Sequence, residues 1–128
     1  MTREEIERLE GRELDYYVSR RVFGHTIPWH EAEPGKGLCA CCFPQWSQDL
    51  NRSWMVARRM AERGYSLDVY ELSLAGHHPD KPTCDLAFGR TRVELARNRY
   101  TDSDLARAIC RAALIALTNE GVERGADA

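Results

Sequence analysis

The residue types most able to do chemistry in this chain are its cysteines and histidines. Cys39 and Cys42 have two residues between them, the spacing that lets two thiolates from one turn reach a single Zn²⁺. His78 and Cys84 follow with five residues between them, and His77 and Cys41 are available as substitutes. A tetrahedral site built from Cys39, Cys42, His78 and Cys84 would pin a long loop to the connection between two strands. Against it, only one such cysteine pair is present, and Cys84 also fits a strand position facing the core, where free cysteines are commonly found. The default reading is therefore an ordered loop with no cofactor, and structural zinc is the alternative.

A second group could bind a ligand. Trp29, Phe43 and Trp46 lie in or beside the same loop, and Arg90 and Arg92 open a basic stretch continued by Arg97 and Arg99. Aromatic faces and guanidinium groups together suit a stacked base and a phosphate. The bland reading places Trp46 as the residue that folds the loop onto the next helix, and Trp54 in that helix's core stripe. Arg58, Arg59 and Arg63 would contribute to phosphate contacts only if they shared a face with the later arginines. Cys110 has no neighbouring base in sequence and reads as a buried structural thiol. No His-Glu-x-x-His, Gly-x-Ser-x-Gly or phosphate-loop pattern occurs, so nothing here indicates an enzyme.

Composition narrows the field further. Eighteen Lys and Arg against twenty Asp and Glu give a net charge of -2, which argues against nucleic acid as a partner unless a local patch exists. Hydrophobic residues at 43% and charged residues at 30% over 128 residues fit one globular domain, residues 1–128. No apolar run is long enough to span a bilayer. A charged N-terminus and an odd number of cysteines point to reduced thiols and the cytoplasm.

The elements that must position these residues follow from periodicity. The stretch TDSDLARAICRAALIAL carries Leu105, Ala108, Ile109, Ala112, Ala113, Ala116 and Leu117 at helical spacing, the apolar stripe of an amphipathic helix over residues 102–118. Thr101 or Ser103 is its expected cap, and Arg107 and Arg111 are expected to face water. Thr2 and Glu5 have capping-box spacing for a short helix at 3–9. A second helix is expected at 12–23, and a third at 48–63 with Ser47 as cap and Leu50, Trp54, Ala57 and Ala61 on its buried face. Residues 24–46 hold Pro28, Pro34, Gly35, Gly37 and Pro44 and read as a long loop. Strands are expected at 65–74, at 84–89 with Cys84, Leu86 and Phe88 on one face, and at 92–100. The order is α-α-β-β-β-α, an α+β fold with an antiparallel sheet of three or more strands.

Three segments together resemble a known family. GRELDYYVSRRVFG resembles the start of the phage ABA-sandwich domain, found in small proteins of bacteriophages and prophages. FPQWSQDLNRSWMVARRMAERGY resembles that family's proline-aromatic-Ser-x-Asp segment and following helix, and LARAICRAALIAL its C-terminal alanine-rich helix. The resemblance implies an α-β-α sandwich in a phage or prophage protein, working in the cytoplasm of a bacterial host, and no activity. The cysteines at 39–42 and the His77-His78 turn are not part of the resemblance. The expectation is an accessory protein that binds a host or phage protein stoichiometrically, without catalysis. Alternatives are a protein that binds or sequesters a nucleotide signal and, lowest, a nucleic-acid binder. A homo-oligomer is compatible with all three.

Overall fold

The computed structural model describes residues 1–25, 44–73 and 82–127, with side chains through residue 119. In chain order its elements are α1 (Arg3–Arg8), α2 (Gly11–Arg21), α3 (Leu50–Glu62), β1 (Ser66–Ser73), β2 (Thr83–Gly89), α4 (Arg92–Asn98), β3 (Tyr100–Asp102) and α5 (Leu105–Asp127). The fold is α+β: a three-stranded antiparallel sheet, order β1-β2-β3, with helices before and after it. Among the described residues no helix is long and apolar enough to cross a membrane.

The C-terminal helix α5 is the centre of the molecule. Every residue from Ala108 to Ala116 is buried, and α5 packs against β2 and β3 as well as α1, α2 and α3. A helix buried on all sides differs from the amphipathic helix that its strongest stripe predicts. Ile109, Ala112, Ala113 and Ala116 are buried as expected, with Leu105 partly so. The alanines let neighbours approach the helix backbone closely. Its cap is Asp104, whose carboxylate accepts from Arg107 N at 3.1 Å. Thr101 instead lies in β3, opposite Asp85.

Strand β2 is buried along almost its whole length. Cys84, Leu86 and Phe88 point into the core, as their alternation predicts. At its end α4 closes against Gly89, where a Cβ would come within 2.8 Å of Leu95 N, so no larger residue fits without moving the helix.

The expected strand at 92–100 is corrected by the structure. Residues 92–98 form α4, and only Tyr100–Asp102 pair with β2. Thr91 caps α4 by accepting from Glu94 N at 3.1 Å, while its hydroxyl lies 3.3 Å from the Glu94 carboxylate. The Thr91–Glu94 pair has capping-box spacing, and the side-chain cap on Glu94 N lets helix geometry win over the brief Val93/Leu95 alternation. Val93 is 66% exposed as a result.

Helix α3 exists where expected but is rotated. Its buried residues are Ser53, Val56 and Met60, one position away from the predicted stripe, which is about 100° around the helix. Leu50 and Trp54 are 44% and 45% exposed. Ser53 can face the core because its hydroxyl donates to Leu50 O at 2.8 Å within the helix. Ser47 is not the cap. Its N–H and hydroxyl both donate to Asp15 Oδ1, at 2.8 and 2.7 Å, and Asp49 caps instead, accepting from Asn51 N at 2.9 Å.

Candidate functional site

The densest polar cluster lies where β3 meets α5. Asp102 accepts from Arg107 Nη2 at 2.6 Å, Arg111 Nη1 at 2.9 Å, Tyr100 OH at 2.7 Å and Ser103 N at 2.7 Å. Arg111, expected in water, is buried: Nε and Nη2 donate to Leu9 O at 3.0 and 2.7 Å, just after α1. It thereby satisfies a carbonyl left open at a helix end. Burial alone would raise the Asp102 carboxyl, but the bonds from Arg107, Tyr100 and the backbone outweigh it and hold it at about 2. Burial, then the bond to Asp102, pushes the Tyr100 hydroxyl up to about 12. A general acid or base works best with a pKa near the operating pH. These groups are moved away from it and saturated with partners, so the cluster is a structural tie between α1, β3 and α5.

A second buried carboxylate, Asp15 on α2, holds Ser47 and receives Arg12 Nη1 at 3.3 Å. Burial raises its pKa, against the opposing bonds from Ser47. Beside it Trp46 Nε1 donates to Ser19 Oγ at 2.8 Å, and the indole stacks on Phe23 with ring centres 4.4 Å apart. Trp46 is therefore a buried anchor of residues 44–49 onto α2, and its indole is not open to a ligand.

The other expected site residues among those described, Arg90, Arg92 and Cys84, lie apart. Arg90 lies over the Tyr65 ring at 4.3 Å and donates to Arg63 O at 3.0 Å, closing the end of α3. Arg92 is exposed in the first turn of α4. Trp29, Phe43, Cys39, Cys42 and His78, with Cys41 and His77, lie outside the described residues. Cys84, the remaining zinc candidate, faces the core; burial, then the charges of Asp102 and Asp104, push its thiol up. Among the described residues no group of three or more metal-competent side chains converges. Cys110 is buried, and burial pushes its thiol well up.

What the structure does bring together is the outer face of α3 and the end of α2. Phe23, Met55, Arg58, Arg59 and Glu62 line an open cavity of about 400 Å³. Arg63 fixes this geometry by donating to Arg21 O at 2.7 Å and Val22 O at 3.2 Å, which clasps α2 against the end of α3. Arg59 pairs with Glu62 at 3.2 Å. Arg58 has no ion pair or hydrogen bond among the described residues. Met55 in this lining is 51% exposed, and Leu50 and Trp54, elsewhere around α3, are also about half exposed. Sequence reasoning left Arg58, Arg59 and Glu62 in solvent and missed this site because Phe23, which completes the lining, is distant from them in sequence.

Compared with known proteins, the chain matches no family model, no curated protein and no solved structure.

Proposed function

We propose that this protein is a phage or prophage accessory protein that acts by stoichiometric binding to a protein partner in the cytoplasm of its bacterial host, without catalysis. The observation that carries the binding reading is the outward face of α3. Leu50, Trp54 and Met55 of α3 are each about half exposed, with Met55 in the lining of the cavity, and large apolar side chains held at a surface characterise interaction sites. The half-exposed Trp54 has the anchor chemistry of a binding hot spot. Arg58 beside it favours a partner that offers an apolar side chain together with a carboxylate. The buried charges support the same reading, since their titration is spent on holding helices together.

The test compares capture from phage-infected or lysogenic cells by the wild-type chain and by Trp54→Ser. A specific protein recovered in stoichiometric amount by the first and lost by the second supports the proposal. Repeated recovery of no macromolecule counts against it. A second reading, sequestration of a small nucleotide signal, draws on the same cavity, where the Phe23 ring and the Arg58 guanidinium lie together. Equilibrium dialysis against cyclic and linear nucleotides separates the two, because only the second reading expects retention.

A further inference from the structure

Strand β1 is an edge strand, Ser66–Ser73, whose register shifts between Val69 and Glu71, and on either side of that irregularity its outer row of backbone N–H and C=O groups has no strand partner among the described residues. Such a row is a template for one more strand. The other edge, β3, has three residues and runs almost directly into α5.

The two sides of β1 differ in chemistry. Leu67, Val69 and Leu72 pair with Phe88, Leu86 and Cys84, so they share the apolar side of the sheet. Val69 and Leu72 are nevertheless each 50% exposed. The other side carries Asp68 and Glu71. Glu71 is the register partner of Asp85, which sets two carboxylates side by side on adjacent strands, an arrangement that is unfavourable without a cation. One cation is already there. Arg99 grips Asp85 through Nε at 2.9 Å and Nη2 at 2.6 Å, and its guanidinium lies 4.2 Å over the Tyr70 ring. Glu71 has no ion pair among the described residues.

We propose that the free edge of β1 is a strand-addition site for an extended peptide with apolar residues on one side and Lys or Arg at alternate positions on the other. Backbone hydrogen bonds to β1 supply affinity, and the alternating side chains supply selectivity. The apolar side of the peptide extends the Val69–Leu72 surface. Its cations reach Asp68 and Glu71, adding to the attraction that Arg99 already exerts on Glu71 as well as on Asp85. A second copy of this chain is the poorer occupant. Antiparallel pairing of two β1 edges brings Asp68 and Glu71 of one copy into the same strip as those of the other, and like charges across a strand pair repel. The site is separate from the α3 face and stands independently of it.

The experiment uses the whole protein and short labelled peptides of alternating lysine and valine or alternating glutamate and valine. Binding is followed by fluorescence anisotropy, and hydrogen exchange locates it. The lysine peptide should bind and slow exchange at the amides of Ser66–Ser73, and the glutamate peptide should not. Glu71→Lys should weaken binding roughly tenfold and Glu71→Gln by less, with melting temperatures that show both variants folded. Trp54→Ser should bind the peptide as the parent does. Equal binding of both peptides, protection elsewhere than β1, or loss of binding in Trp54→Ser overturns the proposal. Concentration-dependent self-association that protects β1 also overturns it, since the occupant is then a second copy.

Discussion

Arg111 shows how much one side chain decides here. A guanidinium on the central helix links a carbonyl after α1 to Asp102 and Tyr100 on the sheet's last strand, over a sequence separation of 102 residues to Leu9. Arg111→Met keeps most of the volume but leaves a buried carboxylate and a carbonyl short of donors. Losing one member of a buried pair costs about 3 to 5 kcal/mol, so denaturant unfolding should show a loss in that range. A loss below about 1 kcal/mol would mean the pair behaves as a surface bridge. Asp102 adds a pH dependence of definite sign. Its folded value of about 2 lies below the ordinary 3.8. The stabilisation is therefore present above 3.8 and is lost as pH falls through about 2. Its size is about 2 kcal/mol. Asp102→Asn should flatten the slope of stability against pH in that interval, read from urea melts at stepped pH; an unchanged slope would assign the acid limb to other groups. Asp15 has a raised pKa and works in the opposite sense, so its contribution declines as pH rises above the ordinary carboxylate range.

At the scale of elements, α5 and β2 were the most legible parts of the sequence. Their apolar residues are numerous and regularly spaced, so burial selects one face or all of them. Ala112, buried between neighbouring elements, makes this testable. Ala112→Phe should overpack the contact and cost about 1 to 3 kcal/mol, and thermal melts that match the parent would show that α5 is not docked there. Residues 92–98 were misread because Val93 and Leu95 alternate like a strand, while the capping-box spacing of Thr91 and Glu94 was present in the sequence and outweighs two residues of alternation. Helix α3 carried two competing stripes of the same period, and periodicity alone cannot rank them. Ser53, Val56 and Met60 went inward and Trp54 outward, in a helix that packs on α5. Arg111 was illegible for a different reason. Charge predicts exposure, and only the tertiary positions of Leu9 and Asp102 reverse that.

For the whole molecule, the candidate site is not where the sequence placed it. Of the aromatic and arginine residues expected to converge, the three that are described lie apart: Trp46 is buried against α2, Arg90 closes α3, and Arg92 is exposed on α4. The surface that emerges instead combines residues from α3 and the end of α2, which are distant in sequence and so invisible to motif reasoning. Because Trp54 is 45% exposed, Trp54→Ser should cost clearly less than the roughly 3 to 5 kcal/mol of truncating a core tryptophan. Differential scanning calorimetry of the variant checks this, and a large drop in melting temperature would return Trp54 to the core.

Placing α5 at the centre has a consequence for the order of events during synthesis. The helices and strands that pack on it all precede it in the chain, so they leave the ribosome before the surface they must cover exists. Until residues 105–116 emerge, Ile6, Val18, Met60 and Phe88 have no central helix to bury them. The nascent chain is then a set of sticky pieces that cannot yet close into a core, the condition in which aggregation competes with folding and chaperones are engaged. Structure should therefore appear abruptly and late. Ribosome-stalled chains ending before Leu105 should remain fully open to protease, and chains with α5 clear of the exit tunnel should become resistant in one step.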